Sequence, residues 1–576
     1  MSGREPLSVV FLTAAAGPGT RAAPFGAARV ASALKAWSAS RSSSKPGTGA
    51  GSSGANASIR VSIVEAEPDE SPEAIAKRAL ALSPDLVGLS LYSWNSGRLE
   101  AAGTALKAAR PGLVIVAGGP DASADPEALA TRGPADVVVA GEGERAIVDL
   151  VGAMLAGDPL PGPVVRAAPV DPAGLSSPWL DGTLDPGRWG GGALELTRGC
   201  PYRCAFCFES KGEARLRRFP LETAGKELER FEEAMVEEVF VLDPTFNADP
   251  KRMAAAVRLF SERGPNLRYF LEIRAELLTA EQARLLGSLD CSVQIGLQSA
   301  DPAVLALVDR TLDPDLFARK TRLLDEEGVV YGLDLIYGLP GDTLAGFRRS
   351  LDYALGLGPN HLDVFRLAVL PGTALHDRAA GLGLDWDRAA PYLVRSTPTF
   401  RAAELEKAER LAVAADVLYT RGRAVMWFRS VAALARAKPS ALLAAFADFM
   451  DEERSGPFAG IIAEATTDAA RHDDIELLQT AFFGDWFERR PTRKPDHALA
   501  AIDLIKASGA WTRAFAEGAT TTMELGWPPE DLLDYATFDV AAFADETRRS
   551  PQRWTCSPGR DGPRFAKAKA KAKPGR

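Results

Sequence analysis

Histidine is nearly missing from this chain: among 576 residues there are four, and the first is His361. The long N-terminal stretch therefore has no imidazole to offer as metal ligand or general base. Cysteine is also sparse, with Cys200, Cys204, Cys207, Cys291 and Cys556. An odd number, three of them packed into one short segment, excludes a disulfide framework. No apolar run approaches the roughly 18 residues of a membrane-spanning helix. Basic charge is not in excess either. The net charge of −9 argues against a nucleic-acid binder, which needs a basic face. The start, MSGREPLSVVFLTAAAG, lacks a basic segment followed by a long apolar core. Its run VVFLTAAA reads as a first strand rather than a signal peptide, and a cytoplasmic location is the expectation.

What is present is ordinary globular material, 46% hydrophobic and 25% charged, long enough for about three or four domains. Over 1–165, short apolar runs such as LSVVFL (7–12), IRVSIVEA (59–66), DLVGLSLY (85–92), LVIVAGG (113–119) and ADVVVAG (135–141) alternate with helical patterns. That rhythm predicts an α/β, Rossmann-like doubly wound parallel sheet. Residues 40–57 are Ser/Gly/Ala-rich and read as a disordered insertion. Residues 166–190 hold several Pro and Gly and read as a linker.

The βα rhythm resumes over 191–395, with strands expected at 192–197, 237–243, 268–274, 291–299, 330–340 and 362–370. Six units make a partial (β/α)6 barrel, short of the eight that close one. From 396 to 560 the pattern is helical, as in ELEKAERLAVAADVLYT and ALLAAFADFMDEE. Its aromatics, including Trp427, Phe428, Phe482, Phe483 and Trp486, read as core or as the lining of a pocket. The end, 561–576, alternates Lys and Ala and reads as a disordered basic tail.

The chemistry is carried by LELTRGCPYRCAFCFES, in which Cys200, Cys204 and Cys207 have the spacing C-x3-C-x2-C. Thiolates bind iron–sulfur clusters, and close spacing lets one loop wrap a cluster corner. Three thiolates on a four-iron cube leave one iron open to a substrate's amino and carboxylate groups. Zinc would want a fourth Cys or His nearby, and the nearest is Cys291, itself at a strand start and read as buried packing. The loop follows the first barrel strand, at the mouth where α/β barrels carry their chemistry. Phe206 would cover the cluster or approach an adenine.

CPYRCAFC at the end of a first barrel strand resembles the radical SAM superfamily. The resemblance covers about 190–375. It implies a [4Fe–4S] cluster that donates one electron to S-adenosylmethionine (SAM), releasing methionine and a 5′-deoxyadenosyl radical. It also implies an external one-electron reductant such as flavodoxin or ferredoxin. VLDPTFN (241–247) resembles the second-strand motif, which makes Asp243 the candidate for the SAM amino group. LEIRAELL (271–278) resembles the third strand, with Glu272 and Arg274 toward ribose and carboxylate; a guanidinium fork suits a carboxylate. VQIGLQS (293–299) and LDLIYGLPGDT (333–343) resemble the fourth and fifth, with Gln298 and Asp334 as further candidates. For each charged residue taken singly, a barrel-rim salt bridge is the plainer alternative.

Residues 87–97, 113–123 and 135–151 are similar to segments of cobalamin-binding domains in cobalamin-dependent radical SAM enzymes. Ligands of open parallel sheets bind beyond the carboxyl ends of the strands. Ser90, Ser93, Gly118, Gly119, Gly141 and Gly143 would form cobalamin-binding loops there, with little side-chain bulk. The D-x-H-x-x-G motif is missing: the first loop reads TAAAGPGTRAAPFG. Cobalt can take no histidine from this domain, and Arg21 and Tyr92 are the neighbours considered for its lower face. The resemblance implies C-methylation of an unactivated carbon. Rearrangement, cyclisation or oxidation without methyl transfer is the alternative, and a non-enzymatic cobalamin or cluster sensor is a third. The substrate, whether small metabolite, lipid or peptide, is not legible.

Overall fold

The structure is a computed structural model that describes residues 6–15, 23–43, 58–209, 215–467, 469–560 and 562–568. Its first layer is a parallel sheet of β1 (Leu7–Ala14), β2 (Ile59–Ala66), β3 (Leu86–Ser90), β4 (Val114–Gly118), β5 (Val137–Ala140) and β6 (Val164–Arg166). The strand order is β2-β1-β3-β4-β5-β6. Alternate residues of β1 feed two cores. Val10 and Leu12 face one layer of helices, and Val9 and Phe11 face the other. Strands covered on both faces need near-continuous apolar runs, which explains VVFL, VIV and VVVA. Strand order reverses between β1 and β3, and that switch point opens a crevice at the carboxyl ends.

The second sheet forms the arc of a barrel. In chain order come β7 (Gly191–Leu194), the short β8 (Thr197–Arg198) and β9 (Arg217–Arg218), then β10 (Glu238–Val241), β11 (Arg268–Ile273), β12 (Cys291–Gln298), β13 (Val330–Tyr337) and β14 (His361–Arg366). The six long strands pair in parallel, in unbroken sequence order from β7 and β10 to β14. β8 and β9 pair antiparallel beside it and bracket the cysteine loop. Outward residues such as Val239, Val241 and Leu271 are buried under helices, whereas inward Phe240 and Leu242 stay nearly half exposed.

Four expectations are corrected. The helix Phe25–Ser43 runs into the stretch read as a disordered insertion, so 40–43 are helical; residues 44–57 lie outside the described residues, as does Arg21. The linker 166–190 is no free tether. Trp179, Leu184 and Trp189 are buried in the barrel core, and Trp179 Nε1 donates to the Ala193 carbonyl at 2.8 Å. The helical C-terminal region also contains β15 (Asp385–Trp386) and β16 (Val394–Ser396) at its border. Beyond its long helices lies an antiparallel sheet of β17 (Thr521–Leu525), β18 (Gln552–Ser557) and β19 (Arg564–Lys567). β19 falls within the segment read as a disordered tail; the remainder, from 569, lies outside the described residues.

Barrel and C-terminal helices share one hydrophobic core that runs from Leu333 through Phe400 to Phe482. Trp427, Phe428, Phe482, Phe483 and Trp486 are buried in it, and Trp427 meets Phe483 edge-on at 5.5 Å. They are packed side chains of that core. Cys291 is buried in that core, and Cys556 is buried beside Ala510 and Ala514.

Candidate functional site: the cysteine loop and the interdomain cavity

The triad sits on the loop between β8 and β9. Its central residues are held from two sides: Ala205 N–H donates to the Val308 carbonyl at 2.9 Å, and Leu375 N–H donates to the Ala205 carbonyl at 2.8 Å. Cys204 is buried, while Cys200 and Cys207 are half-buried. Cys200 Sγ stands 3.9 Å from Thr245 Oγ1. Phe206, between the last two cysteines, packs against the barrel core.

Asp243, at the end of β10, is buried, and its Oδ1 accepts from the N–H groups of Leu196 and Thr197 at 2.8 and 2.9 Å. Burial pushes its carboxyl up to about 6 against those two donors. It thereby fixes the passage from β7 into β8, just ahead of the cysteine loop. Arg274, just past β11, has its N–H and carbonyl clamped by the Asn247 amide at 3.0 and 2.9 Å. Its guanidinium lies 3.7 Å over the Tyr202 ring, donates to Glu276 Oε1 at 3.0 Å and stands 3.9 Å from Cys204 Sγ. Gln298 closes β12 at a bulge, with φ of +68°.

Glu272 faces the barrel interior from β11. Its side chain reaches solvent, yet the surrounding protein removes much of its hydration. That burial, with the charges of Asp334 and Glu209, pushes its carboxyl up to about 7. Asp334 on β13 is pushed up to about 6, by burial first and by Asp363 as well, against a donor from Gln294 Nε2. The same Gln294 Nε2 donates to Asp363 Oδ2 at 2.9 Å, and its Oε1 lies 2.7 Å from His361 Nε2. Burial holds His361 below and Asp363 above their ordinary values. Phe365 continues the face of His361 and Asp363 along β14, and Phe240, on β10 across the arc, stacks on Phe270 at 4.6 Å; both are substantially exposed on the inner face.

A cavity of about 930 Å³ opens where the two sheets meet. Its lining includes Ser90, Gly118, Gly119, Gly141 and Gly143 from the ends of β3, β4 and β5, with Tyr92 and Trp94 beside them. Thr197, Arg198 and Gly199 of the cysteine loop and Leu242 and Pro244 after β10 complete the wall. Ser93 is not part of this lining. Two of the glycines are required by the chain itself. Gly119 and Gly141 both have φ of +106°, and a Cβ there would come within 2.5 Å of the Leu91 carbonyl and 2.7 Å of the Ala167 carbonyl. At Gly118 an added Cβ would meet nothing nearer than the Val139 carbonyl, at 3.9 Å.

A charged network ties the two halves together. Arg198 donates to Glu195 Oε1 at 2.6 Å, pairs with Glu144 at 2.7 Å and lies 3.3 Å from Glu142. Arg217 reaches the other oxygen of Glu142. Burial alone would raise Glu142, but the bonds from Arg217 and Val170 N–H and the Arg198 charge hold it below the usual carboxylate range. Arg29, buried on the first helix, pairs with Glu195 at 3.3 Å and lies 4.7 Å from the Phe219 ring.

Sequence reasoning missed Arg310, Glu276, Gln294, His361, Asp363, Arg29 and Arg198. Arg198 and Tyr202 sit inside the cysteine motif, Glu276 inside LEIRAELL and Gln294 inside VQIGLQS, so these four could have been found there. Arg310, His361, Asp363 and Arg29 lie in no such motif, and only folding brings them to the site.

Comparison with known proteins agrees with this geometry. Residues 194–354 match the radical SAM superfamily model, and residues 50–151 match the B12 binding domain model. The chain thus carries a radical SAM domain, with a B12-binding domain ahead of it. It is 31% identical over 349 residues to the 2-(S-pantetheinyl)-carbapenam-3-carboxylate methyltransferase of Streptantibioticus cattleyicolor, covering 52% of this chain and 50% of that one. It is 30% identical over 331 residues to the cobalamin-dependent radical SAM methyltransferase TokK of Streptomyces tokunonensis, covering 51% and 48%. The chain thus spans about half the length of these two relatives. Among solved structures it shares its fold with OxsB with aqua-cobalamin and SAM bound (TM-score 0.55, 15% identity, covering 88% of this chain and 84% of that one). The same holds for TsrM from Kitasatospora setae with cobalamin and a [4Fe–4S] cluster bound (TM-score 0.53, 18% identity, covering 69% and 82%).

These two domains imply a [4Fe–4S] cluster with SAM, and cobalamin. The residues present fit all three. Among the described residues no three His, Cys, Asp or Glu side chains converge on one ion, but a four-iron cube takes each thiolate at a separate corner. Arg274 Nε, Arg310 Nε, Glu276 Oε2 and Gln298 Oε1 are buried without a hydrogen-bond partner around Cys204. Orphaned groups of that kind are expected where a polar ligand belongs. The cavity at the strand ends matches a bulky cofactor in size, near the upper end of the ~300–1,000 Å³ of ligand pockets.

Proposed function

We propose that this chain is a cobalamin-dependent radical SAM methyltransferase acting on an unactivated carbon. The observation that carries the reading is a common wall. Thr197, Arg198 and Gly199, which lead directly into Cys200, also line the cavity at the carboxyl ends of β3, β4 and β5. The group in that cavity and the group on the cysteines would then meet across one space. When bound, the cluster and SAM supply a carbon-centred radical, and cobalamin supplies the methyl group.

The chain's own residues supply position. Cys200, Cys204 and Cys207 hold three irons, and Asp243, Arg274, Gln298 and Phe206 stand where SAM's amino, carboxylate and adenine groups would be gripped. Glu272 and Asp334 would reach the ribose. Gly118, Gly119, Gly141, Gly143 and Ser90 form the floor for the corrin. No histidine lies within that floor, so cobalt takes no imidazole from it. A substrate would lie over the barrel interior, between Phe240 on β10 and the Gln294, Asp363 and Phe365 face. Holding these groups close is the protein's main contribution to rate.

The two relatives named as methyltransferases support methyl transfer in particular. An external one-electron reductant of the flavodoxin or ferredoxin kind completes the reaction, in a cytoplasmic setting. Among the described residues no helix is long and apolar enough to cross a membrane. The decisive assay incubates anaerobically reconstituted protein with SAM, reductant and cobalamin, and measures 5′-deoxyadenosine and S-adenosylhomocysteine. Both in equal amounts are expected in the presence of substrate. Deoxyadenosine without S-adenosylhomocysteine would overturn the methyl-transfer reading.

A further inference from the structure

Fixed charge gathers around Cys204. Two guanidiniums approach its sulfur, Arg274 Nη1 at 3.9 Å and Arg310 Nη1 at 4.0 Å. They share one carboxylate: Glu276 Oε1 lies 3.0 Å from Arg274 but 3.9 Å from Arg310. Arg274 is thus largely offset by its own partner and by the Tyr202 ring. Arg310 is not. It is 8% exposed, its Nη2 donates to the neutral Gly296 carbonyl, and its Nε has no partner. Its place is fixed by the backbone. Arg310 N–H donates to Leu305 O at 3.0 Å, and Val308 in the same turn accepts from Ala205, the residue after Cys204.

We propose that Arg310 is a positioning residue for the cluster, holding a buried positive charge against the Cys204 corner and raising the cluster's reduction potential. This rests on the radical SAM reading. The step it governs is one-electron: an external donor gives an electron to [4Fe–4S]2+ to form [4Fe–4S]+, and no bond is made or broken. The reduced form carries one more negative charge, so a nearby fixed cation favours it. Net charge and contacts to the sulfurs are among the factors that set such potentials. Low surrounding dielectric strengthens the effect.

The test is an EPR-monitored redox titration of the full-length, reconstituted protein with dithionite and mediators. Arg310→Met, which keeps length and loses charge, is expected to lower the reduced-to-oxidised ratio at the wild-type midpoint about tenfold, or about 59 mV for one electron. Arg310→Lys should stay near wild type. Glu276→Gln should move the midpoint the other way, which structural damage would not do. An unchanged midpoint in Arg310→Met, equal shifts in the Met and Lys variants, or no rise in Glu276→Gln each overturns the proposal. Should Arg310→Met not hold a cluster, Glu276→Gln alone decides. Wild-type protein with no iron–sulfur signal would instead sink the radical SAM reading itself.

Discussion

At the scale of single residues, Asp243 does two jobs with one oxygen. Its Oδ1 takes the N–H groups of Leu196 and Thr197, where β7 passes into β8 just before the cysteine loop. Charged hydrogen bonds to buried amides are among the stronger ones, and leaving the donors unmade costs more still. Asp243→Ala is therefore expected to destabilise the chain by about 3 kcal/mol and to lower iron content on reconstitution. Denaturant melts and iron analysis would show it, and an Ala variant with wild-type stability would refute this account. Glu272 gives a pH signature. Its folded value of about 7 lies above the ordinary 4.5. Stability tied to the protonated form is complete below pH 4.5 and is lost as pH rises through about 7. Glu272→Gln should raise the melting temperature of the cofactor-free chain more at pH 8 than at pH 5. Equal effects at both pH values would show that the carboxyl is not strained.

At the scale of elements, the strand ends of the first sheet separate two uses of glycine. Gly119 and Gly141 serve the backbone turn, since each has φ of +106° and no room for a Cβ. Gly118 faces open space. Gly119→Ala should thus cost about 1–3 kcal/mol of stability and lose cobalamin as a secondary effect. Gly118→Ala should leave the melt nearly unchanged while weakening cobalamin uptake, read by the corrin absorbance after desalting. If Gly118→Ala binds cobalamin as well as wild type, that loop does not touch the corrin.

At the scale of the whole molecule, the joint between the two sheets is electrostatic as well as apolar. Arg198 sits among Glu142, Glu144 and Glu195, with both domains supplying carboxylates. Removing the cation would leave Glu144 without its ion pair, and Glu142 and Glu195 with only Arg217 and Arg29, a loss of about 3–5 kcal/mol for a buried pair. Arg198→Ala should loosen the first sheet against the barrel before either unfolds. Faster hydrogen exchange around Trp179 and Ser177, which pack between them, would report it. Unchanged exchange there would place the stability of the joint in its apolar contacts alone.

Five strands of the first sheet and the six of the barrel were legible because alternation and apolar runs are local properties that burial on one or two faces imposes; the three-residue β6 (Val164–Arg166), at the edge of the stretch read as linker, was not. The triad was legible because a cluster corner is wrapped by contiguous chain, so spacing alone carries the signal. β19 was not, because Arg564–Lys567 leads into the Lys/Ala alternation and reads with it as solvated tail until β18 supplies its hydrogen bonds. Nor was the docking of 166–190. Its Pro and Gly read as linker, and the burial of Trp179 depends on Phe231 and Phe25 from distant segments.

The sequence by itself determined that three thiolates lie on one loop after a barrel strand, and that no histidine precedes His361. Only the tertiary structure decided what surrounds them. Arg310 meets Cys204 across 106 residues, and Arg217 meets Glu142 across 75. Charges bury themselves only where a partner is brought by the fold, and no local pattern records which partner that will be.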